Sequence, residues 1–410
     1  MDRVLIIGAG AAGLFAALTA ARRGRPVLAL EKMPRPALKL GLTGKGRCNL
    51  TNLCEVDEFI AHVPGNGRFL RPALYAFTPQ DAIGFFAEIG VQTKVERGHR
   101  VFPVSEDAPL VARSLAGAAR ASGAVIRTSA PVAEILLDGG RAAGVRLEDG
   151  EEVPARAVVL ATGGASYPAT GSTGDGYRLA CQCGHTVTEI RPSLVPLETQ
   201  EHWPRLCQGL ALKHVGVQAF TGSRSVYREV GEVLCTHFGV SGPLVLTASR
   251  HLVDAAHPKL AIDLKPGLSP EQLDARLQRD LAAGRNRQLK NSLGALLPQR
   301  LIPVVLELAG VPPDLPCHSI TKAHRRRLGE TLKGLVLHIT RPRPIAEAVI
   351  TAGGVSTREV NPGTMESRVT PGLFFAGEVL DVDGYTGGFN LHIAWATGRL
   401  AGMAEMGTGT

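Results

Sequence analysis

The chain has 410 residues, of which 44% are hydrophobic and 20% charged, with 48 glycines and a formal net charge of +8. This composition excludes a disordered chain, a coiled coil and a collagen-like repeat, and the length predicts two or three domains with a sizeable core. The net charge is far below the dense basic patches typical of nucleic-acid-binding proteins. Seven cysteines without regular spacing do not predict a disulfide framework and favour a reducing, cytoplasmic setting.

The first predicted element is a short buried strand from Arg3 to Ile7, which leads through a glycine-rich turn into an alanine-rich helix ending near Arg23. Gly8, Gly10 and Gly13 have the spacing G-x-G-x-x-G. In this motif the first glycine permits a tight turn, the second lets the backbone approach a pyrophosphate, and the third allows close helix-to-sheet packing. The spacing argues against a membrane span or signal peptide here and predicts a dinucleotide site at a helix N-terminus.

The second predicted strand, Pro26 to Leu30, ends at Glu31, 18 residues beyond Gly13. A carboxylate in this position accepts hydrogen bonds from the ribose hydroxyls of an adenosine and disfavours a 2′-phosphate, so NADP is not expected at this site. The motif alone leaves FAD and NAD as alternatives.

The segment from Lys39 to Asn52 follows the second strand and is rich in glycine, hydroxyl, amide and cationic groups. Its backbone N–H groups, with Lys45 or Arg47, can approach a pyrophosphate or an electron-rich ring without steric obstruction. The alternative is an ordinary solvent-exposed loop.

Two later predicted strands also end in glycine-rich turns. The strand from Ala157 to Ala161 runs into Thr162-Gly163-Gly164, and Gly372 to Glu378 precedes a turn at 381–390 and a helix predicted from Leu391 to Ala401. Small residues at a strand end let the chain pass close to a flat cofactor. The last helix follows two glycines, so its free N–H groups can stabilise negative charge on a reduced flavin. For each turn the alternative is a connection without a ligand.

Together these segments resemble the two-part FAD domain of the glutathione-reductase-like flavoproteins. Residues 44–52, 236–243 and 384–390 look like the signature stretches of the BaiN-like, aminoacetone-oxidase-like flavoproteins, and the resemblance runs nearly end to end. It implies a non-covalent FAD, a three-part architecture, a bacterial cytosolic setting and NAD(P)/FAD-dependent oxidoreductase activity.

The motifs and the resemblance together define the candidate cofactor-binding residues. These are Gly8, Gly10, Ala11, Ala12, Gly13, Glu31, Lys32, Lys39, Thr43, Gly44, Gly46, Arg47, Cys48, Asn49, Ala161, Thr162, Gly163, Gly164, Gly377, Glu378, Asp383, Gly387, Gly388, Phe389 and Asn390.

The predicted fold class is α/β, with a split Rossmann-like FAD-binding domain at 1–190 and 345–410. Short alternating runs after Pro192, among them two separate runs at 225–230 and 233–236, predict an inserted antiparallel, barrel-like β domain at 191–265 and 336–344. Residues 266–335 are predicted as a helical subdomain, opened by Ser269 as N-cap and Pro270 in the first turn.

An insertion between the halves of a flavin domain predicts a substrate cleft at the domain interface. We therefore take His237, in the polar loop of the insertion, and Tyr385 as candidate substrate-binding residues. For His237 a packed histidine at a strand end is an equally good interpretation.

Three other groups of residues give weaker indications of function. Cys181 and Cys183 lack Cys-x-x-Cys spacing and no paired ligands follow, so no metal site is predicted. A redox role for Cys48 requires a partner thiol, and Cys54 is six residues away. The basic run at 324–327 is interpreted as a solvated helix face, with RNA binding as the alternative.

The function predicted from the sequence is an FAD-dependent oxidoreductase that transfers hydride between a small-molecule substrate or NAD(P)H and FAD. No second G-x-G-x-x-G occurs, so NAD(P)H would bind transiently. No nucleic acid or membrane partner is expected, and no catalytic base is named. The alternatives are a flavin-dependent tRNA- or RNA-modifying enzyme and a non-catalytic dinucleotide-binding protein.

Overall fold

A computed structural model describes residues 3–403 of the chain. The chain divides into two compact units, Met1–Pro192 with Ala348–Thr410, and Ser193–Glu347. The second unit is thus an insertion within the first in sequence. The finer division of the insertion into a β domain and a helical subdomain stays a prediction.

The strands, in chain order, are β1 (Val4–Ile7), β2 (Val27–Leu30), β3 (Thr51–Asn52), β4 (Thr93–Glu96), β5 (Arg100–Pro103), β6 (Val125–Arg127), β7 (Val132–Asp138), β8 (Arg141–Leu147), β9 (Glu152–Pro154), β10 (Ala157–Leu160), β11 (Arg191–Ser193), β12 (Leu197–Thr199), β13 (Ala211–Thr221), β14 (Arg224–Cys235), β15 (Gly239–Ser241), β16 (Pro258–Asp263), β17 (Leu335–Pro342), β18 (Ile350–Ala352) and β19 (Leu373–Phe375).

The helices, in chain order, are α1 (Ala11–Arg22), α2 (Val56–Ala61), α3 (Arg71–Ala76), α4 (Pro79–Glu88), α5 (Ala108–Ala121), α6 (Asp175–Gln182), α7 (Trp203–Leu206), α8 (Pro243–Ser249), α9 (Pro270–Ala283), α10 (Ile302–Leu308), α11 (Lys322–Lys333) and α12 (Phe389–Gly402).

The first unit is built on a five-stranded parallel sheet with the order β19-β10-β1-β2-β6. Val4 of β1 pairs with Ala157 of β10 on one side and Val27 of β2 on the other. Strand β1 is buried along its whole length, as expected for apolar strands covered by helices on both faces. Because all five strands run in the same direction, the turns after β1, β2, β10 and β19 meet at one edge of the sheet, where such folds bind ligands.

Helices α1 and α12, from opposite ends of the chain, pack closely against each other. A Cβ atom at Gly398 would lie 2.5 Å from the Ala12 carbonyl oxygen, and one at Gly402 would lie 2.5 Å from that of Ala16. Only glycine permits this approach, because any side chain would force the two backbones apart. The first and last helices are therefore held side by side.

The second unit contains a closed antiparallel barrel with the order β12-β15-β14-β13-β16-β17. Apolar side chains of the barrel and of α8–α11 form one shared core, which includes Leu260, Leu277 and Leu328. The predicted α/β class with an inserted antiparallel barrel and helices is confirmed.

Some predicted element boundaries need correction. The runs at 225–230 and 233–236 form one long strand, β14, rather than two. The last helix begins at Phe389, two residues before the predicted start, since Gly388 adopts a left-handed conformation with φ +103° and serves as the N-cap. Among residues 3–403, no helix has the length and apolar character that crossing a bilayer requires.

Candidate cofactor site

The turn between β1 and α1 contains three glycines that differ in what surrounds them. A Cβ atom at Gly8 would lie 2.6 Å from the Ala161 carbonyl oxygen, and one at Gly13 would lie 1.9 Å from that of Gly8. A Cβ atom at Gly10 would meet no protein atom within 4 Å. Protein packing therefore explains Gly8 and Gly13, whereas Gly10 borders open space that a ligand can occupy.

Helix α1 begins beside that space without a side-chain cap, since its N-cap is Gly10. The N–H groups of its first turn, including those of Ala11 and Ala12, have no partner within the helix. Unpaired N–H groups and the positive end of the helix dipole together suit a pyrophosphate. The predicted residues of this turn thus form a cradle of the expected chemistry.

Glu31, at the end of β2, is buried and points back to the same turn. Its carboxylate accepts hydrogen bonds from the backbone N–H groups of Ala9 and Met33, both at 2.9 Å. Each carboxylate oxygen can accept a further hydrogen bond, so the group is oriented and still able to bind hydroxyls. This geometry fits the ribose role expected of Glu31.

A second polar cluster joins Lys39 to Glu378, residues 339 positions apart in sequence. Lys39 Nζ donates to Glu378 Oε2 at 2.8 Å and to Ser166 Oγ at 2.7 Å. Glu378 Oε1 accepts from the Thr351 N–H at 2.9 Å. The cluster connects the loop after β2, the turn after β10 and the turn after β19. Ser166 and Thr351 belong to no sequence motif, so neither was predicted to take part in this cluster.

The glycines next to this cluster keep the backbones close. A Cβ atom at Gly164 would lie 2.3 Å from Thr351 Oγ1, and one at Gly377 would lie 2.7 Å from the Ala12 Cβ. Gly163 and Gly377 adopt positive φ angles of +75°. The small residues after β10 and β19 are therefore explained in part by packing within the protein.

Lys32 lies close to the turn that follows β10. Its Nζ is 2.5 Å from Asp175 Oδ2 and 2.5 Å from Thr173 Oγ1. Burial acts to raise the pKa of Asp175, but the hydrogen bonds from Lys32 and Thr173 hold that pKa below its ordinary value. Lys32 therefore already has an anionic partner, and its predicted role toward the cofactor stays a prediction.

The loop at 43–49 has an unusual backbone. Gly44, Lys45, Gly46 and Cys48 all have positive φ angles, from +57° to +87°. Thr43 Oγ1 donates to the Leu40 carbonyl at 2.7 Å. Such a run of left-handed residues is costly for any residue except glycine and is concentrated at functional sites.

Of the two charged residues of this loop, Arg47 is paired within the protein. Arg47 forms ion pairs with Glu96 at 2.5 Å and Glu106 at 2.9 Å, and its guanidinium lies 4.2 Å from the centroid of the Phe102 ring. Its positive charge is thus balanced by two carboxylates. A direct contact between Arg47 and the cofactor stays a prediction.

Cys48 is fully buried, and burial raises the pKa of its thiol to about 12. Burial also raises the pKa of Cys54 to about 12, with the carboxylates of Glu58 and Glu55 adding to the effect. Both thiols are protonated at neutral pH, whereas thiol–disulfide chemistry requires a thiolate. The electrostatics therefore do not favour a redox pair.

The N-terminus of α12 is the other uncapped helix end at this site. Gly387 and Gly388 have φ angles of +128° and +103°, and the Gly388 N-cap provides no side-chain hydrogen bond. A Cβ atom at Gly388 would lie 2.4 Å from the Thr51 carbonyl oxygen and 2.8 Å from Asn49 Oδ1. Asn49 Oδ1 is buried and accepts no hydrogen bond within residues 3–403. A buried acceptor without a donor, beside free helix N–H groups, fits a polar ligand edge.

Three other predicted residues here are buried or hydrogen-bonded within the protein. Asn390 Oδ1 accepts from the Gly384 N–H at 2.8 Å, and Asn390 Nδ2 donates to the Gly384 carbonyl at 2.7 Å. Phe389 is buried and stacks on His62, with ring centroids 4.6 Å apart. Asp383 is 2% exposed. His62 lies outside every sequence motif and was not predicted to lie here.

The two candidate substrate residues lie in different units. Tyr385 is in the first unit, where its backbone N–H donates to the His62 carbonyl at 2.9 Å. His237 is in the second unit, exposed in the connection between β14 and β15, with its ring 4.9 Å from that of Phe238. In the described part of the chain, no group of three or more His, Cys, Asp or Glu residues could hold a metal ion.

Comparisons with known proteins agree with this architecture. A family model described as the HI0933-like protein Rossmann domain matches residues 2–404. A 3-dehydro-bile acid delta(4,6)-reductase of Clostridium scindens is 35% identical over 411 residues, covering 98% of this chain and 99% of the relative. A ribosomal RNA dihydrouridine synthase of Escherichia coli is 33% identical over 396 residues, covering 96% of this chain and 95% of the relative.

Among solved structures, a 3-ketosteroid delta1-dehydrogenase from Sterolibacterium denitrificans has a similar fold. The TM-score is 0.56 at 14% identity, covering 98% of this chain and 99% of that chain. At this identity the likeness supports the fold alone.

Proposed function

The chain belongs to the HI0933-like flavoprotein family and is an FAD-dependent oxidoreductase, and on this premise we propose that it reduces a carbon–carbon double bond conjugated to a carbonyl group. The proposal combines the predicted flavin chemistry with what the two curated relatives have in common. The name of the Clostridium relative describes reduction of a 3-oxo bile acid at positions 4 and 6, and that of the Escherichia relative describes formation of dihydrouridine in ribosomal RNA.

Both named reactions are the same chemical step on different scaffolds. A hydride adds to the carbon β to the carbonyl, or to the δ carbon for the Δ6 bond of a 4,6-dienone. A proton adds to the other carbon of the same double bond, which becomes a single bond. Bound FAD, when reduced, supplies the hydride. The reaction needs from the protein a site that orients two flat groups and a source of one proton.

The structural observation that supports a flavin site for this reaction is the meeting of α1 and α12 at one edge of the parallel sheet. Both helices begin with a glycine N-cap that has no side-chain hydrogen bond, and Gly10 borders open space. We assign the N–H groups after Gly10 to the pyrophosphate and Glu31 to the ribose hydroxyls. The N-terminus of α12 and Asn49 Oδ1 then provide a positive dipole end and an acceptor for the polar edge of the flavin.

A second candidate narrows the substrate to a uridine carried by RNA. The inserted unit, 193–347, contains 20 Lys and Arg against 13 Asp and Glu, so +7 of the net +8 lies within it. The first unit carries 25 against 24. A positive field confined to one unit suits a polyanion, whereas a steroid requires no such charge.

The experiment is an anaerobic half-reaction. The protein with FAD is reduced with NADPH, NADH or dithionite, and then mixed with a 3-oxo-4-ene steroid or with a uridine-containing RNA while flavin absorbance is followed. We expect one acceptor to reoxidise the flavin and to gain two hydrogens by mass spectrometry. Reoxidation by dioxygen alone, with both acceptors recovered unchanged, would refute the proposed reaction. Dihydrouridine in the recovered RNA would select the second candidate.

A further inference from the structure

The positive charge of the inserted unit is concentrated in its helical part. Residues 266–335 contain 11 Lys and Arg against 6 Asp and Glu. Part of this charge is neutralised by ion pairs, such as Arg276 with Asp280 at 2.8 Å and Arg325 with Asp274 at 3.0 Å. The cations outside these ion pairs are therefore the ones available to a binding partner.

Three exposed cations in this region form no ion pair within the described residues, although the charge of Lys322 helps to lower the pKa of Asp274 at longer range. Arg285 and Arg287 lie in the loop after α9, and Lys322 is the first residue of α11. All three side chains are exposed, and none forms an ion pair within the part of the chain that the structure describes. Guanidinium and ammonium groups outside ion pairs keep their N–H donors available to a ligand.

Backbone hydrogen bonds hold the loop that carries Arg285 and Arg287 close to the segment that precedes Lys322. The His318 N–H donates to the Arg285 carbonyl at 3.2 Å, and the Cys317 N–H donates to the Arg287 carbonyl at 2.9 Å. The loop after α9 is thus bound to residues 317–318, which lie just before Lys322. His318 is itself exposed, with Nδ1 3.0 Å from the Arg285 carbonyl oxygen.

Helix α11 continues the positive surface by one turn. Arg326 is four residues after Lys322, so both side chains lie on one side of the helix, away from the buried Leu328 and Leu332. The side chain of Arg326 is 77% exposed, and its ion pair with Glu330 is long at 3.6 Å. An exposed pair of this length is weak and exchanges readily for a phosphate.

We propose that Arg285, Arg287, His318, Lys322 and Arg326 form a basic face that binds the phosphate backbone of RNA. The proposal rests on the second candidate function, in which the reduced base is part of an RNA chain. Spaced cations without aromatic side chains among them suit backbone contacts, which hold RNA without reading its sequence. Arginine is well suited to this role because its planar donor fork matches phosphate oxygens.

The test measures binding of a fluorescein-labelled, single-stranded RNA of mixed sequence to the FAD-loaded protein by anisotropy over a range of salt. For the triple variant R285A/R287A/K322A we expect about a tenfold or greater loss of affinity at low salt. The slope of log affinity against log salt should fall by about 2, because each lost phosphate contact removes about 0.7 on a single strand.

Two matched variants distinguish an effect of this particular surface on RNA binding from an effect of the protein's net charge. R23A/R120A/R358A removes the same charge from exposed positions of the first unit that have no ion pair, and should bind RNA as the parent does. R285K/R287K/K322R keeps the charge and should retain most of the affinity. Equal losses in the two alanine triples, or no loss in R285A/R287A/K322A, would overturn the proposed face.

Further measurements separate this proposal from the proposed function. Reduction of bound FAD by NADPH should be equal in the parent and R285A/R287A/K322A, which also verifies that the variant folds. RNA that binds through this face without gaining dihydrouridine would support the face and refute the reaction. Failure of the parent protein to bind the RNA, or tighter binding to phosphatidylglycerol vesicles through the same three residues, would refute the assignment to RNA.

Discussion

Acidification should destabilise the first unit through His392, a fully buried histidine in the first turn of α12. His392 Nε2 lies 2.9 Å from the Phe77 carbonyl oxygen, and Nδ1 lies 3.0 Å from Thr51 Oγ1. Since a carbonyl can only accept, Nε2 is the donor and Nδ1 accepts from the threonine hydroxyl in the neutral ring. Burial lowers the pKa of His392 to about 4, against opposing effects of the Phe77 carbonyl and Asp81.

The direction and size of the effect follow from proton linkage. In the unfolded chain the group titrates near 6.5, and in the folded protein near 4. Between these values the unfolded state binds more protons, so the free energy of unfolding falls by about 1.4 kcal/mol per pH unit on acidification. The stabilisation is fully present above pH 6.5 and is lost down to about pH 4, a total of about 3 kcal/mol.

The chain offers a specific probe for this measurement. It has two tryptophans, Trp203 in the inserted unit and Trp395 in α12, where the indole N–H donates to the Leu50 carbonyl at 2.9 Å. In a Trp203→Phe background, tryptophan fluorescence during urea unfolding therefore reports the first unit alone. Unfolding free energies are measured from pH 4 to pH 8 with and without His392→Gln.

We expect His392→Gln to have a flatter pH dependence, with the difference from the parent shrinking by about 3 kcal/mol from pH 7 to pH 4. Subtraction removes the contributions of other groups, including His185, whose pKa burial also lowers. His202→Gln, at an exposed histidine, is the matched control and should follow the parent. Parallel curves for His392→Gln and the parent would refute a neutral, buried His392.

Three further predictions concern the cofactor site and the thiols. Gly10→Val should leave the fold intact but weaken FAD binding, measured by titration, tenfold or more. Gly398→Ala should instead lower the free energy of unfolding by about 1–3 kcal/mol, because its Cβ would lie 2.5 Å from the Ala12 carbonyl oxygen. The reverse pattern would contradict the proposed cofactor site. Glu31→Gln should weaken FAD binding by about 1–3 kcal/mol while the absorbance spectrum of bound flavin is unchanged, and full affinity would exclude the ribose contact. A thiol reagent at pH 8 should react rapidly with Cys181, the exposed cysteine, and Cys181→Ser should remove that rapid phase.

The sequence predicted the parts of the fold that depend on local requirements. A strand, three spaced glycines and a helix predict a tight strand–turn–helix unit, because the conformation of that turn depends on the residues within it. The same holds for the helix opened by Ser269, whose capping box with Gln272 is present in the structure. The alternation of apolar and polar residues predicted the barrel strands. It did not show that two of these runs form the single strand β14.

Contacts between segments that are distant in sequence could not be predicted from local sequence patterns. The role predicted for Arg47 at the cofactor stays a prediction, and no local pattern indicated that Glu96 and Glu106 would pair with it. Ser166 and Thr351 have no local signature, because their importance comes from lying beside Glu378. The asymmetry of charge between the units was present in the sequence, but a net value of +8 concealed it.

The amino-acid sequence by itself determined that a dinucleotide turn opens the chain and that glycine-rich turns end three further segments. The tertiary structure decided that these turns share one edge, because the strand order β19-β10-β1-β2-β6 is a property of the whole sheet. It also decided that α12 lies against α1, since the contact depends on matched small surfaces at Ala12, Ala16, Gly398 and Gly402. Local conformation is encoded by neighbouring residues, whereas a site made from both ends of a chain exists only once the core has packed.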